Sequence, residues 1–171
     1  MKQDLYSVEE IAAKVKQLGK QITKDYQGQE VVFVGVLKGS FIFMADLVRA
    51  VDLSVSCEFM QISSYGDGQV SGKMELLLDL PRDKVEGKHL LIIEDIVDTG
   101  NSMHFVLAHL AQYNPASLKI CTFLFKEAMF RRQNTVSLDY VGFTIEPNFV
   151  VGYGMDVAGK LRNYPAIGIY Q

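Results

Sequence analysis

The segment LLIIEDIVDTGNSM, residues 90–103, gathers the side chains best able to do chemistry. Four apolar residues deliver two adjacent acids, Glu94 and Asp95, to what reads as a strand end. Asp98 follows, and Thr99-Gly100-Asn101-Ser102 opens the next helix. Gly100 permits a tight bend in which successive amides point inward as an anion nest. The free amides and positive end of the helix favour the same kind of ligand, and the hydroxyls of Thr99 and Ser102 add donors. Such a turn suits a phosphate monoester. Two carboxylates beside it would repel that anion unless they grip neutral hydroxyls or a hard cation, and a ribose diol with magnesium supplies both. The segment therefore suits a sugar phosphate better than a bare phosphate. Neither G-x-x-x-x-G-K-[ST] nor G-x-G-x-x-G occurs, so nucleotide hydrolysis and dinucleotide binding lose their usual support.

These groups need a scaffold, and the apolar pattern describes one. Ser7 with Glu10 three residues later is a capping-box pattern, and Ile11, Val15, Leu18 and Ile22 continue at helical spacing. After Gly28, residues 31–36 read as a buried strand; 37–40 break it, and Phe41, Met44, Leu47, Val48 and Val51 give a second helical stripe. Residues 54–62 read as a strand running into a polar, glycine-bearing stretch, 63–73, with 74–78 as its return. The unbroken apolar run 90–93 is expected of a strand covered on both faces. A helix carrying Met103, Val106, Leu107 and Leu110 follows, with Pro115 beyond it, and strands at 118–125 and 140–143 complete the series. Strands alternating with helices predict an α/β domain with a mainly parallel sheet and its ligands at the carboxyl ends of the strands. The aromatic and glycine-rich end, 149–171, is expected to form a flap with the N-terminal helix.

Bulk properties narrow the function classes. A chain of 171 residues, about half of them hydrophobic, suits one compact domain with a real core. A net charge of −3 with scattered acids and bases gives no basic surface for nucleic acid. No apolar run approaches the roughly 18 residues of a membrane helix, and the start does not read as a targeting segment. Cys57 and Cys121 lie in apolar strand-like segments and are expected to be buried, reduced thiols of a cytoplasmic protein, a disulfide being the alternative. His89, His104 and His109 have no metal-ligand spacing and are read as structural.

The run EDIVDTGNS resembles the signature of the type I phosphoribosyltransferases. Three more segments, VGVLKGSFIFMADL at 34–47, SSYG at 63–66 and PNFVVGYGMDVAGKLR at 147–162, resemble the hypoxanthine-guanine branch. The likeness covers nearly the whole chain in order. It implies an α/β fold with a mainly parallel twisted sheet flanked by helices, one domain over 1–171. The core would span about 28–145, with a small hood built from about 1–10 and 146–171. It also implies transfer of the 5-phosphoribosyl group of phosphoribosyl pyrophosphate to hypoxanthine, guanine or both, in purine salvage, with Mg2+ and a homodimeric or homotetrameric assembly. The apolar helix at 41–51 offers one surface for that assembly.

Residue by residue, the resemblance implies that Glu94 and Asp95 hold the ribose hydroxyls and magnesium, and that Asp98 lies beside N7 of the purine as the proton-transferring group. Asp98, Thr99, Gly100, Asn101 and Ser102 would wrap the 5-phosphate. Lys38 and Gly39 would form the pyrophosphate loop, where a non-proline cis peptide before the lysine is usual. Ser64 and Tyr65 would belong to a mobile loop. Lys126 would donate to the 6-oxo group, Phe149 would stack on the base and Val150 would touch it through backbone groups. Asp156 would help hold the base and magnesium, and Arg162 would reach pyrophosphate. By residue type alone, each also has a plainer reading: Lys126 as a solvated lysine, Phe149 as a core aromatic, and Asp156 and Arg162 as exposed charges. Lys126 with the 149–156 segment argues against adenine as acceptor and leaves xanthine open. Departures from the family pattern fall at Asn101 and Ser102, over 127–137 and over 157–161.

Overall fold

The computed structural model describes residues 3–65, 73–130 and 136–171, without the side chains of Ser64, Tyr65 and Lys73. Its elements run β1 (Gln3–Tyr6), α1 (Val8–Asp25), β2 (Val31–Leu37), α2 (Phe41–Ala50), β3 (Val55–Tyr65), β4 (Lys73–Leu78), β5 (His89–Val97), α3 (Asn101–Ala111), β6 (Ser117–Phe125), β7 (Tyr140–Thr144), β8 (Val150–Val151) and β9 (Ile167–Ile169). The main sheet has six strands in the order β4-β3-β2-β5-β6-β7. Its neighbours pair in parallel except β3 with β4, the return strand expected at 74–78.

Helices cover both faces. Ile11, Val15, Leu18 and Ile22 of α1 and Phe43, Met44 and Leu47 of α2 pack with Phe33, Leu91, Ile93 and Phe123 on one face. Met103, Val106 and Leu110 of α3 pack with Val34, Leu90, Ile92 and Ile120 on the other. The run 90–93 thus alternates between two cores, which is why it carries no polar residue. Helix α1 starts as its sequence predicts: the Ser7 hydroxyl accepts from the Glu10 amide at 3.3 Å and the Glu10 carboxylate accepts from the Ser7 amide at 2.8 Å. Such a cap is worth about 1 kcal/mol.

One expectation is extended and one corrected. The C-terminal segment meets β1 as well as the first helix: β1, β9 and β8 form a separate antiparallel sheet, with Gln3 opposite Ile169, and Val8, Ile11 and Ala12 of α1 line a groove with Tyr153, Tyr164 and Pro165. The four buried aliphatic residues of α1 share one core with Phe33 and Leu91 of the main sheet and with Val150, Tyr153 and Ile167 of the C-terminal segment. Cys57 is exposed while Cys121 is buried, and both are free thiols. Cys57 shares a face of β3 with Phe59, which is also exposed, and neither belongs to the core under α1 and α2. That helical layer covers β2, β5 and β6 and leaves this face of β3 open. No described helix is long and apolar enough to cross a membrane.

Candidate active site

The carboxyl ends of β2 and β5, side by side in the sheet, border an open cavity of about 310 Å³. Lys38, Gly39, Glu94, Asp95, Asp98, Thr99, Gly100, Asn101, Ser102, Asp156 and Arg162 all line it, although they come from three separate stretches of chain. Parallel pairing of β2 with β5 brings the first two stretches together, with Gly35 opposite Ile93.

The loop after β2 is held tightly. The peptide between Leu37 and Lys38 is cis. The Ser40 hydroxyl, fully buried, donates to the Val36 carbonyl at 2.7 Å and closes the loop at the start of α2. A methyl group on Gly39 would fall 1.7 Å from Oδ2 of Asp95, and one on Gly154 would fall 2.1 Å from the Gly39 carbonyl oxygen. The Asp95 carboxylate, residue 39 and residue 154 are therefore layered so closely that two of the three must be glycine.

After β5 the chain turns at Gly100, whose φ of +83° lies in the left-handed region that glycine adopts freely. The Asn101 amide donates to the Thr99 hydroxyl at 3.4 Å, and α3 begins at Asn101. Asn101, Ser102 and Met103, in the first turn of this 11-residue helix, line the cavity, and a helix N-terminus is a favourable place for an anion. A side chain at position 100 would meet the Phe130 ring at 2.6 Å. Phe130 packs edge-on to Phe125 with ring centroids 5.4 Å apart, so it wedges the turn against β6. Phe130 lies just beyond a short 3-10 turn, Glu127–Met129.

Glu94 is 8% exposed, and burial together with the adjacent Asp95 carboxylate pushes its carboxyl well above the usual range. Two carboxyls crowded in this way are relieved by a cation, and magnesium characteristically takes one or two carboxylates plus substrate phosphates rather than an all-protein cage. The donor set fits that ion. Among the described residues no three His, Cys, Asp or Glu side chains converge as a metal site by themselves. Asp156 opens onto the cavity, but its Oδ1 pairs with Arg162 at 2.7 Å and its Oδ2 accepts from the Gly159 amide at 2.6 Å. The divergent stretch 157–161 thus forms a tight reversal, with a bridge between Val157 and Lys160, that fixes the Asp156–Arg162 pair.

Asp98 and Lys126 face each other from the ends of β5 and β6. Lys126 Nζ stands 3.5 Å from Oδ2 of Asp98, and the lysine is 8% exposed. A buried ammonium beside a carboxylate is not a solvated surface lysine. Asp98 Oδ1 is buried without a hydrogen-bond partner, an unusual state for a carboxylate oxygen and one suited to receiving a proton.

Phe149 is set apart. It is 53% exposed, does not line the cavity and meets Tyr170 edge-on with centroids 6.0 Å apart. An exposed aromatic is not the core residue its type allowed. Val150 is buried in β8, paired with Ile169. The backbones of Ser64 and Tyr65 end β3, while their side chains, and Gly66, lie outside the described residues. Ile62, Ile96, Val97 and Met103 also line the cavity and Phe130 backs its turn, though their apolar types carry no signal of a site in the sequence.

The family described as the phosphoribosyl transferase domain matches residues 2–158 of this chain. The chain belongs to that family. This phosphoribosyltransferase is 46% identical to the hypoxanthine phosphoribosyltransferase of Escherichia coli K12 over 162 residues, 93% of this chain and 89% of the relative. Its fold superposes on the crystal structure of a hypoxanthine phosphoribosyltransferase from Staphylococcus aureus with a TM-score of 0.93, at 41% identity, covering 100% of this chain and 92% of the other. A hypoxanthine-guanine phosphoribosyltransferase from Bacillus anthracis superposes with a TM-score of 0.92, at 40% identity, covering 100% and 99%. The phosphoribosyltransferase fold read from the sequence, a mainly parallel sheet with helices on both faces, is the fold of the molecule.

Proposed function

We propose that this phosphoribosyltransferase acts in purine salvage, transferring the 5-phosphoribosyl group of phosphoribosyl pyrophosphate to N9 of hypoxanthine, guanine or both and releasing pyrophosphate. The observation that carries this reading is the pairing of a phosphate turn, 98–102, with a buried Lys126 at the adjacent strand end, 3.5 Å from Asp98. A sugar phosphate seated on the turn directs its anomeric carbon toward the cavity, and the base lies between Asp98, Lys126 and Phe149.

Each group then has a task. The turn 98–102 and the α3 terminus hold the 5-phosphate. Glu94 and Asp95 would hold the ribose diol and magnesium, which would supply positive charge to neutralise the departing pyrophosphate. Asp156 would add a third carboxylate beside that ion while paired with Arg162. Lys38, Gly39 and Arg162 receive the pyrophosphate. Departure of pyrophosphate leaves positive charge on the ribose ring, which the nearby carboxylates favour. Asp98 handles the proton on the imidazole part of the purine while N9 attacks. Lys126 donates to a 6-oxo group and sets donor against donor for the 6-amino group of adenine. The segment at Ser64 and Tyr65 closes over the reacting centre and keeps water out.

Lys126→Ala is expected to raise the KM for hypoxanthine about tenfold or more while the KM for phosphoribosyl pyrophosphate changes little, since a charged hydrogen bond to the base alone is lost. Equal losses for both substrates would contradict the role. Phe149→Ala should weaken base binding by about 1–3 kcal/mol, the usual worth of an aromatic platform under a nucleobase. An unchanged KM for the base would count against stacking.

The reading as a whole is tested by pyrophosphate release with magnesium, phosphoribosyl pyrophosphate and each of hypoxanthine, guanine, xanthine and adenine in turn. Turnover with adenine alone, or with none, would overturn it. A cytoplasmic enzyme with reduced thiols, assembled as a homodimer or homotetramer, completes the proposal. Phe41, 43% exposed at the first turn of α2, is an apolar group such an assembly would cover.

A further inference from the structure

Tyr153 lies between two glycines in a run of three left-handed residues, with φ of +97° at Gly152, +49° at Tyr153 and +102° at Gly154. A bulky residue rarely takes that conformation, so its surroundings must hold it there. The ring is 5% exposed and packs against Phe123 with centroids 5.1 Å apart. Phenylalanine would fill the same space. The hydroxyl is therefore the informative part, and it donates to Oδ2 of Asp46 at 2.7 Å. Asp46 belongs to α2, whose first residue directly follows the 37–40 loop, so a tether to Asp46 is a tether to that loop. Its other oxygen pairs with Arg49.

The far end of the same run meets the loop itself. Gly154 lies against the Gly39 carbonyl so closely that no side chain fits at 154. Gly154 also carries Arg162: its amide donates to the Arg162 carbonyl at 3.0 Å, and its carbonyl accepts from Arg162 Nη1 at 2.7 Å. A shift of residue 154 relative to residue 39 therefore moves the Arg162 guanidinium relative to Lys38.

The geometry points to Tyr153 and Asp46 as a positioning pair that sets the spacing between the Lys38–Gly39 loop and Arg162, and so the fit of the pyrophosphate end of the substrate. This rests on the pyrophosphate assignment proposed above. Neither residue touches the reacting atoms.

Tyr153→Phe should raise the KM for phosphoribosyl pyrophosphate and weaken binding of inorganic pyrophosphate, each by about tenfold, the scale of one hydrogen bond to a charged group. The KM for the base, kcat and the affinity for a nucleoside monophosphate should stay within about twofold, the split expected when binding at one end of the substrate is lost. Asp46→Ala, made on the partly exposed helix face, should give the same split, and Asp46→Asn, which keeps an oxygen acceptor, should restore near wild-type values. Calorimetry with pyrophosphate and with a nucleoside monophosphate, alongside steady-state kinetics, reads all three variants. Unchanged pyrophosphate affinity, or an equal loss for every ligand, would overturn the positioning role. Wild-type protein that binds no pyrophosphate would overturn the assignment of the loop, and this inference with it.

Discussion

Asp98→Asn is expected to lower turnover by about 100- to 10,000-fold, the range typical of losing a placed general acid or base, while the KM for the base moves only a few fold. The substitution keeps the size of the side chain and an oxygen toward Lys126, which stands 3.5 Å away. It removes the capacity to take a proton at the carboxylate. Oδ1 of Asp98 is the oxygen on which this rests, because it is buried and accepts no hydrogen bond. Steady-state kinetics with hypoxanthine and saturating phosphoribosyl pyrophosphate checks it. Wild-type turnover in the variant would remove Asp98 from proton transfer and leave it as a counterion for Lys126.

The second large effect is expected at Gly39. Alanine there places a methyl group 1.7 Å from Oδ2 of Asp95, and no rotation of that methyl relieves the overlap. Either the carboxylate or the loop must move, and residue 39 is also pressed against residue 154 through its carbonyl. A displacement of about 1 Å at a reacting centre can reduce rate about 100-fold. We expect kcat/KM for phosphoribosyl pyrophosphate to fall by about that factor in Gly39→Ala, with the far-ultraviolet circular dichroism spectrum retained because the main sheet is untouched. Efficiency within twofold of wild type would show that Asp95 has no fixed place in the reaction.

What could be read in the residues and what could not follows from sequence distance. Glu94, Asp95 and 98–102 are adjacent along the chain, so their joint appearance at a strand end was visible, and the cavity contains every one of them. The run 90–93 announced its burial because both faces are covered. Strand β1 was hidden: Gln3–Tyr6 is only four residues long, and it becomes a strand through pairing with Ile167–Ile169 at the other end of the chain. Cys57 looked buried because β3 is apolar, and only the placement of the helical layer shows which face of that strand stays open. Phe149 could not be assigned by type, since stacking and packing residues look alike; its 53% exposure separates the two. The Tyr153–Asp46 bond joins residues 107 positions apart. Its one local sign was the pair of glycines at 152 and 154 around a tyrosine.

Phe130 has a consequence for how such an enzyme can be altered. Its ring braces Gly100 from a segment that begins at Lys126, so on the roles proposed above one short stretch of backbone would support both the purine end and the phosphate end of a bound nucleotide. Exchanging 126–130 to admit a different purine would also retune how firmly the nucleotide product is gripped. On that reading acceptor choice and product release are linked traits, and a redesign aimed at the first would need a matching change at the α3 terminus.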